Sequence, residues 1–197
     1  MKIKMLILTL CTVFLLLFLT GCTSNNSNNN SNGPSWITNY TPTYSVGTGS
    51  NDFWINFPVS NPSAGQSIQH KTWITEDLKE KPVVFVCHKT GCAACTPQAD
   101  RVKAFREIYG EDAKFYDLDL PYSGDYTKDT ETKFNEAFYY DPNGSPSYIA
   151  FTGVFTLIND GGEAKIGWHS WELDVEDSVM ESWIKDAIYY YHINSED

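Results

Sequence analysis

Positive charge is scarce in this chain: 14 Lys and Arg stand against 25 Asp and Glu, for a formal net charge of −11. A surface that acidic disfavours nucleic acid and electrostatic docking on anionic lipid. Cysteine is scarce as well. Five cysteines in 197 residues are too few for a disulfide scaffold, and with 15% aromatic residues a sizeable core can be buried without one. What the thiols do must therefore be read from their spacing. Only one long apolar run occurs, no internal repeat is visible, and the length suits one ordinary domain and excludes three.

The apolar run extends from Met5 to Leu19, behind Lys2 and Lys4 and ahead of Thr20, Gly21 and Cys22. That order is a charged n-region, an h-region and a processing site, and the run is shorter than the roughly 20 residues a spanning helix needs. Leu19-Thr20-Gly21-Cys22 resembles the lipobox of prokaryotic lipoproteins. The resemblance implies that residues 1–21 are a signal peptide, lost together with Cys11. Cys22 would then be the acylated first residue, anchoring the chain on the extracytoplasmic face of the cell membrane. Loss of Lys2 and Lys4 would deepen the net charge from −11 to −13. From Thr23 to Asn32 every residue is Ser, Thr or Asn, which offers nothing apolar to bury and reads as a tether. An irregular lead-in follows, so that 22–52 is tether and lead-in and the folded domain is 53–194, with one short strand near Phe53 to Phe57.

Val83-Val84-Phe85-Val86-Cys87 is a continuous apolar run whose β-branched content suits a strand buried on both faces of a mostly parallel sheet. After a turn at Gly91, Ala93 to Tyr109 places Ala99, Val102, Phe105 and Ile108 or Tyr109 at helical spacing and stops at Gly110. Ala113 to Leu120 reads as a second strand with Phe115 and Leu118 inward, and Lys128 to Tyr140 as a helix burying Phe134, Ala137 and Phe138. Ser147 to Ile158 and Glu163 to Trp168 flank Asn159-Asp160-Gly161-Gly162, a hairpin turn composition. Asp174 is a candidate N-cap for a last helix carrying Val175, Val179, Trp183, Ala187, Ile188 and Tyr191 at helical spacing. A βαβ unit, a helix, a hairpin and a final helix make an α/β sandwich with a mixed central sheet and flanking helices.

Cys92-Ala93-Ala94-Cys95 stands at the junction of the buried strand and its helix. Two thiols separated by two residues can close a small disulfide ring, and a helix N-terminus stabilises the thiolate of the first. Cys92 is the expected attacking sulfur. Cys95, one turn into the helix and more buried, would resolve the mixed disulfide and release the substrate. No cofactor beyond this pair is called for.

With that strand, that CxxC and Gly144-Ser145-Pro146-Ser147-Tyr148 entering a later strand, the chain resembles the thioredoxin-like family from Lys79 to Ile193. The resemblance implies a three-layer sandwich, a cis Pro146 facing the two cysteines as part of the catalytic site, and a Ser145 backbone that pairs with extended substrate. It implies a thiol–disulfide oxidoreductase acting on exported protein clients with a membrane redox partner. The chain also departs from the family's reductants. Gly91 replaces the usual Trp, Ala93-Ala94 replaces Gly-Pro, and Val86 occupies the position of a buried Asp, leaving Lys89, water, Asp117 or Asp119 to assist Cys95. Pro97 lies in the first helical turn, where a proline loses no hydrogen bond.

Cys87 reads as a small buried hydrophobe beside Val83 and Phe85, and His88 as a strand cap or a cation lowering a thiolate pKa. Two other functions compete. A zinc or copper module would use Cys87, His88, Cys92 and Cys95, although Cys87 and His88 point to opposite strand faces. A binding domain would keep Cys92–Cys95 as a structural disulfide. Haem attachment is disfavoured because Thr96, not His, follows Cys95. His70, His169 and His192 lack ligand spacing, and Trp168, Trp171 and Trp183 read as packing, with Trp168 to Trp171 a less favoured border for a substrate groove.

Overall fold

The computed structural model describes residues 33–145 and 148–195. The signal segment, Cys22 and the Ser/Asn tether lie outside the described residues, as does Pro146. Among the described residues there are ten strands and α-helices, the first of them inside the lead-in. Two short strands, β1 (Ser45–Val46) and β2 (Asp52–Phe53), pair in parallel, and helix α1 (Thr72–Asp77) comes next. The chain continues through β3 (Val83–His88), α2 (Thr96–Tyr109), β4 (Lys114–Asp119) and α3 (Lys128–Ala137). It ends with β5 (Phe151–Asp160), β6 (Glu163–Glu172) and α4 (Asp177–Asn194).

The main sheet has the order β4-β3-β5-β6, with β3 parallel to β4 and antiparallel to β5, and β5 antiparallel to β6. All six residues of β3, the five of the apolar run and His88, are buried because β3 is an inner strand covered on both faces. One face carries Val84, Val86 and Val154 against Val102 and Phe105 of α2 and Met180, Trp183, Ile184 and Ala187 of α4. The other carries Val83, Phe85, Cys87 and Phe155 against Ile74, Leu78, Phe134 and Ala137. Helices α2 and α4 thus cover one face and α1 and α3 the other. This is the thioredoxin-like mixed α/β sandwich expected from the sequence.

The hairpin is tighter than its composition required. β5 runs to Asp160 and β6 starts at Glu163, leaving only Gly161 and Gly162 in the turn, both at positive φ. In α2 it is Tyr109 that packs inward, while Ile108 is 63% exposed. At the last helix the expected cap is corrected: Asp174 lies outside the helix and Glu176 is its N-cap, without a side-chain capping bond. Val179 consequently faces outward, and Met180 and Ile184 join Trp183, Ala187 and Ile188 inside.

The lead-in, which carries a short 3-10 helix at Ser35–Asn39 and strand β1, is fastened to the domain, and the compact unit begins at Gly33, ahead of the boundary at 53. Its fastening is Asp186, a fully buried carboxylate on α4. Asp186 accepts hydrogen bonds from the Tyr40 hydroxyl at 2.6 Å, the Thr43 N–H at 3.2 Å and the Tyr44 N–H at 2.6 Å. Tyr44 also stacks on Trp183 with ring centroids 3.6 Å apart.

Candidate redox site

β3 delivers the chain to the site. Beyond His88 the backbone turns through Gly91, whose φ of +96° suits glycine, and the Cys92 N–H bonds the Lys89 carbonyl at 2.9 Å. Cys92 and Cys95 are joined as a disulfide with their Cα atoms 5.3 Å apart. Cys92 is half-buried, whereas Cys95 is fully buried in the core cluster beneath α2. Such asymmetry suits an accessible attacking sulfur and a protected resolving one.

The position of the cysteines on the helix needs correction. α2 starts at Thr96, so Cys95 is its N-cap rather than a residue one turn inside, and Cys92 lies in the preceding turn. The Cys95 N–H reaches the Cys92 carbonyl at 3.0 Å in a tight four-residue turn, and the Thr96 N–H reaches the same carbonyl at 3.3 Å. Helical winding therefore begins at the Cys92 carbonyl while the regular helix waits for Thr96. Cys92 keeps its place at the positive end of α2. Pro97 sits in the first turn, as expected.

Gln98, one turn after Cys95, is a polar node that the hydrophobic pattern passes over. It is fully buried and satisfied on both sides of its amide. Its Nε2 donates to Thr152 Oγ1 at 3.0 Å, and its Oε1 accepts from Arg101 at 3.0 Å and from the Val175 N–H at 3.2 Å. One side chain thus ties the start of α2 to β5 and to the segment entering α4. Its spacing of three from Cys95 is the only signal the sequence offers.

His88 is 4% exposed and lies on the sheet face that α2 covers. Its Nε2 is 2.5 Å from Asp117 Oδ1, and its Nδ1 is 3.7 Å from Asp119 Oδ1. Lys103 of α2 approaches Asp117 at 3.3 Å. Burial works to raise the Asp117 carboxyl, but His88 and Lys103 outweigh it and hold it below the usual range. Asp119 accepts from both the Thr90 N–H, at 2.7 Å, and the Thr90 hydroxyl. The two carboxylates named as possible helpers of Cys95 are thus engaged by His88, Lys103 and Thr90. Register also pairs Val86 with Asp117, placing a carboxylate on the strand beside the valine.

Cys87 lies on the opposite face, in the cluster with Phe134 and Phe151, and burial pushes its thiol well above the ordinary value. It packs as a small hydrophobe, separated by the sheet from the face that Cys95 and His88 share. Among the described residues no group of three His, Cys, Asp or Glu could hold a metal ion. His169 is sandwiched between Trp183 and Trp54 at centroid distances of 3.8 and 4.2 Å, and burial lowers its pKa to about 4. Trp168 is fully buried. The Trp168 to Trp171 stretch is accordingly packing.

Ser145 is exposed in the loop that enters β5, and its N–H contacts the Asp141 carboxylate. Register opposes Phe151 to Cys87, so this loop emerges at the same end of the sheet as the disulfide. Pro146, the proposed cis residue, lies outside the described residues. Sequence reading missed Tyr122, whose ring lies over Gly91: a Cβ there would be 3.3 Å from Tyr122 Cδ2.

No protein-family model matches the chain, and no curated protein matches it. Among solved structures the chain is similar to a yeast mitochondrial 1-Cys peroxiredoxin, described for thiol resolution via glutathione/thioredoxin systems. Identity is 13% and the TM-score 0.35, over 60% of this chain and 92% of that one. At that distance no activity is transferred, and the chemistry rests on the residues of this chain.

Proposed function

We propose that this chain is a thiol–disulfide oxidoreductase working outside the cytoplasm, tethered to the membrane through acylated Cys22, with exported proteins as its clients. The observation that carries the reading is the Cys92–Cys95 disulfide at the β3–α2 junction, with Cys92 accessible and Cys95 buried. The lipobox resemblance and the Ser/Asn tether support the location.

In the reducing direction the Cys92 thiolate attacks one sulfur of a client disulfide. A Cys92–client S–S bond forms, the client S–S bond breaks, and one client thiolate leaves. Cys95, having lost its proton, then attacks the Cys92 sulfur. The Cys92–Cys95 bond forms and the second client thiolate departs, so the client gains two electrons and the protein loses two. Oxidation of a client dithiol runs the same steps backwards. A membrane redox partner restores the starting state in either case. Positioning at the helix start favours the Cys92 thiolate, and burial protects Cys95 from outside reagents. Ser145 and Pro146 are proposed to hold the client backbone beside the sulfurs.

Cys95→Ala removes the resolving thiol and keeps the nucleophile. It is expected to accumulate Cys92-linked mixed disulfides with exported proteins, seen as high-mass adducts that collapse on reduction. Absence of adducts, or the same pattern from Cys92→Ala, would leave the disulfide as a structural staple.

A further inference from the structure

Strand directions bring four loops to one end of the domain. β3 and β4 run parallel and finish there at His88 and Asp119, β5 begins there at Phe151, and β6 ends there at Glu172. The disulfide turn is one of these loops. Among the described residues every exposed aromatic side chain stands in the other loops: Tyr122 at 73%, Tyr148 at 60% and Tyr126 at 41%. Tyr122 is held against the site, with one side of its ring over Gly91 and the Lys89 ammonium 5.6 Å from its centroid.

Charge at this end has one dominant sign. Asp125, Asp174 and Glu176 are exposed in these loops, and Asp100 is exposed on the second turn of α2. Against them stands Lys89, which is half-buried and leans on Tyr122. Arg101 is occupied by Asp177 at 2.5 Å.

We infer that these loops form a docking surface for extended, Lys- or Arg-rich polypeptide segments flanking a client's cysteines, a substrate class that rests on the function proposed above. Tyrosine faces attract ammonium and guanidinium groups and pack against their aliphatic stems. The carboxylates steer a cationic segment towards Cys92 and repel an anionic one. Tyr122 is the residue that joins docking to chemistry, because its ring lies on the residue preceding the attacking sulfur.

The test uses the full-length reduced protein in detergent with three disulfides: two synthetic peptides identical except for Lys or Glu flanking the cysteine, and a small uncharged disulfide. Each rate is divided by that disulfide's rate with dithiothreitol to remove intrinsic reactivity. At low salt the Lys peptide is expected to react at least about tenfold faster than the Glu peptide, with the ratio shrinking at high salt. Combined Asp125→Asn, Asp174→Asn and Glu176→Gln should bring that ratio towards one, and Tyr122→Ala should slow the Lys peptide. Equal rates for the two peptides, alongside brisk reaction of the small disulfide, would overturn the docking surface and leave the proposed function standing. Failure of all three disulfides to react would overturn both.

Discussion

Replacing Gln98 by Met keeps an unbranched side chain of similar length and removes the amide. Thr152 Oγ1 then loses its donor at a fully buried site and the half-buried Val175 N–H loses its acceptor, while Arg101 can turn to solvent. Leaving a buried polar group unsatisfied costs about 1–3 kcal/mol, so two such groups, one only half-buried, amount to about 2–4 kcal/mol. For a domain of this size that is a fall in Tm of roughly 5–15 °C. Thermal unfolding followed by circular dichroism measures it, with the full-length protein kept oxidised so that redox state does not vary. Because the bonds tie the first turn of α2 to β5, amide exchange should also quicken at the start of α2 before it does in β3. A Gln98→Met variant melting within about 2 °C of wild type would refute the argument that this amide fastens the helix carrying the disulfide.

Asp186→Asn should loosen the lead-in, because the new NH2 group would face N–H and O–H donors where a carboxylate now accepts three bonds. A loss of about 2–4 kcal/mol and faster proteolytic cleavage within residues 33–46 are expected, and unchanged protection there would contradict the fastening role. Asp117 is held below the usual carboxylate range by His88 and Lys103, so its contribution is present above the unfolded pKa and is lost as pH falls through the folded one. The stability difference between wild type and Asp117→Asn should thus be flat above about pH 5 and narrow below about pH 4, and a difference that grows in acid would refute the assignment. Cys22→Ala should leave the protein unprocessed or released and without lipid label, as read by fractionation and metabolic labelling, and normal anchoring would dismiss the lipobox.

What the sequence made legible was whatever repeats at the period of an element. Five consecutive apolar residues at Val83 to Cys87 suited an inner strand, Asn159-Asp160-Gly161-Gly162 marked a hairpin turn, and a CxxC between strand and helix pointed to the candidate chemistry. Single buried polar residues carry no period. Asp186 within α4 and Gln98 within α2 fall outside the apolar spacing of their helices, yet each is fully buried and fastens a neighbouring segment. For the same reason the lead-in held by Asp186 looked loose. His88 could be placed on a strand face but not given its partners, because Asp117 and Asp119 reach it only through the β3–β4 register. Helix starts slipped by two or three residues at Cys95 and Glu176, where turn hydrogen bonds, absent from any side-chain pattern, decide the boundary.

As a redox pair, Cys92–Cys95 must cycle between disulfide and dithiol. Equilibrating the full-length protein in graded dithiol/disulfide buffers, then alkylating and weighing it, measures this directly. A single two-electron transition is expected, at which both thiols appear together, with a midpoint above about −300 mV, within reach of biological dithiols. A pair that stays oxidised well below about −300 mV would mark a structural disulfide. Thiols that resist alkylation until a chelator is added would mark a metal site, and either result would contradict the redox role.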